Sequence, residues 1–401
     1  MFALSFLILL LVQPLPLLAV GLCNDQWHAR AEGNSSFIHP GILSTREDLD
    51  RMKYGVGNQT DPWYTAYQNM SSDSLASSSY TMKGPLSYVT RDVSGSSPGK
   101  TQLSHDAVAS LLNALSWYIT GDKAYAEKSV EILNAWASTL ELLNGTDAQL
   151  TAGLYGVQLV NAAEIMRYTY SGWSAKNITM FEKMILEIFY PPASQTTPSE
   201  TQKHPFLANW GTSGEKAIVA FGIFLNNVTM YNYGLSLYRN FACADLNNTI
   251  NSFGQNSESG RDQAHVQLSL GNMAELCQTA FNQGNNYWDL LKSRLGVGYE
   301  YTASYNLGNT VKYDPDFFRC GADLVGGPWS SISSTKRGVF RPVYEIAYGY
   351  YSQVKGSAMP YTQQVIRKIQ IEANDATNNM GDSASYGTLR FSRGDNWVAE
   401  R

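Results

Sequence analysis

The sequence predicts an all-α protein, an (α/α) toroid built as an incomplete helical barrel of antiparallel helix hairpins. Three observations predict it. From about residue 103 to 355, apolar residues recur at i, i+3, i+4 and i+7 in one segment after another. Short breakers separate the segments: Thr120-Gly121-Asp122, Asn144-Gly145-Thr146, Ser171-Gly172 and Gln283-Gly284. No alternating strand run of any length interrupts them. Helix hairpins in series make either an open solenoid or a closed ring. No fixed sequence period is present, which weakens the solenoid. Glycine-rich turns and a large aromatic content, with 25 Tyr and 9 Trp, fit the ring.

Residues 2–19, FALSFLILLLVQPLPLLA, form an apolar N-terminus. We read residues 1–20 as a secretory signal peptide, cleaved near Ala19 to Gly21. The segment carries no Lys or Arg, and Pro14 and Pro16 make it a poor spanning helix. The expected product is secreted and extracellular, without membrane contact after cleavage. Sequons at Asn34, Asn58, Asn69, Asn144, Asn177, Asn227 and Asn247 fit an exported glycoprotein. Cys23, Cys243, Cys277 and Cys320 are widely spaced with no C-x-x-C, which argues against zinc. One or two disulfides are expected in an oxidising compartment.

Residues 21–401 are expected to form a single domain with an N-terminal loop region over 22–100. After Pro40-Gly41, Ser44 is the expected N-cap of a first helix, with Asp48 in its first turn. Residues 70–100, rich in Ser, Gly and Thr, read as a long surface loop placed to roof a cleft. Helices are then expected at 104–120, 122–140, 150–170, 174–189, 208–226, 229–250, 258–282, 285–305 and 341–355. In the first, Ala107, Leu111, Leu112, Leu115 and Tyr118 make the apolar face. The last 45 residues read as irregular, with a short helix at 360–375.

The formal net charge is −5, which argues against a nucleic-acid partner. It does not argue against an acidic substrate, because the field inside a cleft is set by the charges that line it. No cluster of His, Asp and Glu has convincing ligand spacing, so neither a metal nor a cofactor is expected. Oligomeric state is not readable.

In a ring of antiparallel hairpins, alternate helix N-termini share one mouth. That rule collects Asn209, Arg261, His265, Tyr305, Arg337 and Arg341 on one rim. Within the expected helix 258–282, Arg261 and His265 are four apart and share a face. The set suits β-elimination at a uronic acid. The carbon–hydrogen bond beside a carboxylate breaks when the carboxylate is neutralised, so that negative charge can spread onto it. Asn and Arg can do this, while His and Tyr can move protons. Tyr needs nearby cations to act as a base. Each residue also has a structural reading: Asn209 as a helix cap, His265 as a structural histidine, Tyr301 and Tyr305 as core. Arg294 is a further candidate for the site, and His204 and His105 are weaker candidates for substrate contact.

The stretches NWGTSGEKA (209–217), ESGRDQAHVQLSLGNMAE (258–275) and YEYTASYNLGN (299–309) resemble the alginate lyase superfamily. They are most similar to its branch of alginate and glucuronan lyases, polysaccharide lyase family 38. The resemblance spans about 100 to 355 and implies a metal-independent lyase on an (α/α) toroid, acting on an acidic polysaccharide. By that resemblance Asn209 neutralises the carboxylate and His265 is the base or a partner in neutralisation. A Tyr of the third motif, Tyr305 first and Tyr301 second, is the acid. Arg261 is the matching arginine, with Arg294, Arg337 and Arg341 in competition. The sequence departs from other alginate lyases in placing Trp210, not His, after Asn209. Trp210 and His204 are taken as substrate-binding.

Two other readings stand beside the lyase. A glycoside hydrolase on the same ring would need two carboxylates flanking the bond, drawn from Asp106, Glu258 and Asp262. A non-catalytic carbohydrate-binding scaffold would keep the fold without turnover.

Overall fold

Several helices of this chain are buried on nearly every side, and they form the inner layer of the fold. The computed structural model describes residues 36–92, 95, 97–194, 208–240, 243–317, 327–374 and 381–394. The chain begins with α1 (Arg46–Gly57), α2 (Trp63–Ser71) and strand β1 (Tyr88–Thr90). There follow α3 (Lys100–Thr120), α4 (Lys123–Thr139), β2 (Leu142–Asn144), α5 (Ala148–Thr151) and α6 (Val157–Thr169), with a π turn over Ala152–Gly156 joining the last two. α7 (Ala175–Met184) passes through a second π turn, Ile185–Phe189, into α8 (Tyr190–Ser194). Next come α9 (Ala208–Phe224), α10 (Val228–Asn240), α11 (Leu246–Thr249), α12 (Gln263–Asn282) and α13 (Leu290–Asn306). The C-terminal part holds α14 (Tyr344–Tyr348), a third π turn at Gly349–Val354, α15 (Pro360–Ile369) and α16 (Gly387–Phe391).

The inner wall is a circuit of neighbours. α3 packs on α6, α6 on α9, α9 on α12 and α12 on α14. α14 then packs on α16, α16 on α1, and α1 back on α3. Outside it, α4 pairs with α3, α10 with α9, α13 with α12 and α15 with α14. This is an (α/α) toroid, and the two layers differ as burial demands. In α9 every residue except Trp210 is buried. In α10 only Met230, Tyr231, Gly234, Leu235, Leu237 and Tyr238 are, a single stripe facing inward. Between inner helices α9 and α12, Lys216 Nζ meets Glu275 Oε2 at 2.9 Å, both side chains buried. A charge there without its partner would be costly, so the pair favours one register of the two helices. At Gly153 a Cβ would lie 2.0 Å from Ser213 Oγ, so only glycine lets the first π turn approach α9 this closely.

Several expected boundaries shift, each for a local reason. The N-cap of α1 is Thr45, one residue after Ser44, because Thr45 and Asp48 close a reciprocal capping box. The helix expected at 258–282 starts at Gln263. Asp262 is extended and caps it, so Arg261 lies in the preceding turn and not on a helix face with His265. The helix expected at 229–250 ends at Asn240, and Leu246–Thr249 is a separate turn capped by Asp245. In the stretch expected as 285–305, Leu291, Lys292 and Ser293 have left-handed φ of 50°, 59° and 61°, and the regular helix begins after them. The N-terminal region expected as loop also contains α2 and β1. β1 pairs in parallel with β2, Val89 opposite Leu143. Three-residue strands are too short to show an alternating pattern.

Cys277 is buried and free, and Cys243 is disulfide-bonded. Cys23, Cys320 and the signal segment lie outside the described residues. Among the described residues no helix is long and apolar enough to cross a membrane.

Candidate active site

One end of the ring gathers the N-termini of its inner helices around a cavity of ≈ 570 Å³. Lys100 and Thr101 come from the start of α3, and Asp147 and Leu150 from the start of α5. Trp210, the one residue of α9 that is not buried, comes from the third position of that helix. Arg261 and His265 flank the start of α12. The loop after β1 adds Arg91, Asp92, Gly95 and Ser97 to the lining. Helix N-termini carry partial positive charge, and three basic side chains add to it. Asp92 and Asp147 oppose them.

His265 is held by the cap of its own helix. Asp262 Oδ1 accepts from the backbone N–H of Ala264 and of His265, each at 2.9 Å. Its other oxygen meets His265 Nδ1 at 2.6 Å. Burial would raise the Asp262 carboxyl, but the His265 hydrogen bond and the charge around it hold it at about 2. A carboxylate on Nδ1 fixes the imidazole tautomer and leaves Nε2 as the nitrogen able to take a proton.

Asn209 reaches this centre through Glu258. Its Nδ2 donates to Glu258 Oε1 and Oε2 at 2.9 and 3.0 Å, and its backbone N–H donates to Oε2 at 3.1 Å. Glu258 is fully buried and also accepts from Arg261 Nη1 at 2.9 Å. The chain Asn209–Glu258–Arg261 therefore runs from the buried helix start to the cavity wall. The turn bearing Arg261 lies tight against its neighbour: a Cβ on Gly260 would be 2.3 Å from Trp329 Cβ.

α13 returns to the same mouth. Asn306 Nδ2 donates to Gln263 Oε1 at 3.1 Å, which ties the end of α13 to the start of α12 and brings Tyr305 there. Arg337 covers Tyr305. Its guanidinium lies 4.0 Å from the ring centroid, its Nε donates to the Tyr305 carbonyl at 2.7 Å, and its Nη2 donates to the Asn309 carbonyl.

The remaining described candidates do not line the cavity. The Tyr301 hydroxyl donates to the Lys312 carbonyl at 2.6 Å, and burial holds its proton on. Arg294 bonds the Ile250 carbonyl at 3.0 Å. It stands eleven residues before Tyr305, about 16 Å along the helix, which removes it from the mouth. Arg341 is buried, donating to the Ala264 carbonyl and facing Asp382, so it braces the start of α12. His204 is outside the described residues. His105 bonds Thr101 O within α3.

Sequence reasoning assigned no role to Arg91, Lys100 or Asp147, and weighed Glu258 only as a hydrolase acid. The rule that inner-helix starts share a mouth, applied also to the helices near 104 and 150, would have collected Lys100 and Asp147. Arg91 lies in a loop, and nothing local marks it.

Among the described residues no group of three or more His, Cys, Asp or Glu is arranged to hold a metal ion. A family model for alginate lyase matches residues 54–315. No curated protein sequence matches the chain. Among solved structures the chain is similar to alginate lyase A1-III from Sphingomonas species A1. Identity is 13% and TM-score 0.63, over 90% of this chain and 96% of that one. A second similar structure is an alginate lyase from Bacteroides ovatus, at 15% identity and TM-score 0.58, covering 82% of this chain and 96% of that one. A third is a tyrosine-to-phenylalanine variant of A1-III complexed with tetrasaccharide, at 13% identity and TM-score 0.62, covering 90% and 96%. At these identities the likeness of structures establishes the toroid, and the family model, spanning more than half of the sequence, establishes kinship: the chain belongs to the alginate lyase family and is a polysaccharide lyase.

Proposed function

We propose that this enzyme cleaves a uronate polymer, alginate or glucuronan, by β-elimination, with His265 and Tyr305 as the proton-moving pair. The observation that carries the reading is a cavity lined by Arg91, Lys100, Arg261 and an Asp262-held His265, with the end of α13, which bears the Arg337-covered Tyr305, tied to the start of α12 by the Asn306–Gln263 hydrogen bond. Arg261, backed by Glu258 and Asn209, draws charge onto the substrate carboxylate. The C5–H bond breaks and its proton passes to His265 Nε2 or to Tyr305. The electron pair forms the C4=C5 double bond, the C4–O4 bond breaks, and the leaving oxygen takes a proton from the Tyr305 hydroxyl. Trp210 offers an apolar face for a sugar ring. The similar structure complexed with tetrasaccharide supports an oligosaccharide as the ligand.

None of the three acids named for the hydrolase reading is free. Asp106 is buried and accepts four hydrogen bonds, from the Tyr80 hydroxyl, the Lys83 and Gly84 N–H groups and Trp136 Nε1. Glu258 is consumed by Asn209 and Arg261, and Asp262 by His265 and the helix cap.

We propose further that the protein is exported and glycosylated. Of the sequon asparagines described, Asn58, Asn69, Asn144, Asn227 and Asn247 are exposed and Asn177 is half-buried, which leaves them open to a glycan.

The deciding experiment follows the ultraviolet absorbance of a 4,5-unsaturated uronate with polymannuronate, polyguluronate and glucuronan. A rise with one polymer supports the lyase and names its substrate. Release of reducing ends without absorbance would return the hydrolase, and binding without either would leave a scaffold.

A further inference from the structure

Asp147 is an anion inside a cleft built for anions, and no step of the elimination uses it. It precedes α5 but its side chain caps nothing there. The side chain is 13% exposed and lines the cavity. Oδ2 lies 3.9 Å from Arg91 Nε, an ion pair too long to be a hydrogen bond, and Oδ1 is buried without any hydrogen-bond partner. The charged groups facing it are Arg91 and Asp92 after β1, Lys100 at the start of α3 and Arg261 before α12. Beyond Lys100 stands Asp382, itself tied to Tyr155 and Arg341.

We propose that Asp147 is an internal counter-ion for Arg91 and Lys100 that a substrate carboxylate replaces, so that binding of the polymer is coupled to uptake of a proton by Asp147. This rests on the polyuronate reading above. An anion entering between Arg91 and Lys100 meets Asp147 as a like charge, and the repulsion falls when the carboxyl takes a proton from solvent. A carboxylate with one unbonded buried oxygen and only a loose ion pair is poorly stabilised in its charged form. Consistently, burial raises its pKa, Arg91 opposes and Asp92 adds. Asp147 thus sets how tightly, and at what pH, the cleft accepts successive uronates.

The test compares the wild-type chain with Asp147→Asn on whichever uronate polymer the wild type cleaves, from mildly acidic to neutral pH. At neutral pH the variant's KM should be lower by roughly fivefold, the scale of one like-charge contact in a partly solvated site. The wild-type KM should fall as pH falls, and should fall more steeply than that of the variant, whose cavity keeps His265. The effect should fall on KM more than on kcat. A higher KM in the variant, or an unaltered one, overturns the proposal, since it would make Asp147 a sugar-hydroxyl acceptor or an inert wall. Calorimetry with a saturated oligouronate, in buffers of different ionisation enthalpy, reads the same coupling without turnover. The wild type should take up more protons on binding than the variant. Equal uptake overturns the counter-ion, whereas absence of cleavage of every polymer by the wild type overturns the polyuronate reading separately.

Discussion

The guanidinium of Arg337 lies over the ring of Tyr305, 4.0 Å from its centroid, while its Nε holds the carbonyl of the same residue at 2.7 Å. One side chain thus fixes both the backbone and the ring of the tyrosine proposed to give and take a proton. Tyr305→Phe keeps the ring and removes the hydroxyl. Its kcat should fall by about 10²–10⁴, the usual range for a positioned acid or base, with a much smaller change in KM. Arg337→Ala should lower kcat by roughly tenfold and Arg337→Lys should recover part of it. Initial rates from ultraviolet absorbance measure all three.

Asp262 and His265 link catalysis to acid stability. The Asp262 carboxyl is held at about 2 in the fold. Its folded pKa is below its unfolded one, so its stabilisation is present above the ordinary carboxylate range and is lost as pH falls toward about 2. Asp262→Asn should cost about 1–2 kcal/mol at neutral pH after allowance for solvent screening, and should flatten the acid limb of Tm against pH. It should also lower kcat, because an amide no longer stabilises an imidazolium. A variant with unchanged Tm and unchanged rate would remove Asp262 from both roles.

Glu258 is expected to matter through its partners. Glu258→Ala leaves Asn209 Nδ2 and the Arg261 guanidinium without their shared acceptor inside the protein, at a cost of about 3 kcal/mol. Glu258→Gln preserves the shape and should cost less. Both should raise KM for the polymer, because Arg261 loses its anchor. Thermal melts and saturation curves on the same preparations separate the two effects.

Asp106 gives the opposite pattern. It ties the loop at Tyr80–Gly84 to α3 and to Trp136 of α4. Asp106→Asn should lower stability by about 3 kcal/mol, since an amide cannot accept all four bonds. The rate per folded molecule should remain that of the wild type. A large loss of kcat at full folding would revive the hydrolase.

Much of the ring was legible in the sequence. Most inner and outer helices emerged within a few residues of their bounds, because apolar spacing and Gly-containing turns act over four residues or fewer, whereas the helix expected at 229–250 ends at Asn240. Placing Asn209, Arg261, His265 and Tyr305 at one mouth needed only the direction of successive helices. The missed details are of a different kind. Thr45 rather than Ser44 caps α1 because of which hydroxyl reaches the N3 backbone, and three-residue β1 carries no readable period.

The sequence by itself determined the helical ring and the residue types available at one end of it, since periodicity and caps are local properties of the chain. Only the tertiary structure decided what those residues do to one another. Asn209 meets Glu258 across 49 positions and Arg337 covers Tyr305 across 32. Arg91 faces Asp147 across a loop and a helix hairpin, and Arg294 is carried to the far end of its helix. Distance, burial and charge between segments remote in sequence set those roles, and these come into being only when the ring closes.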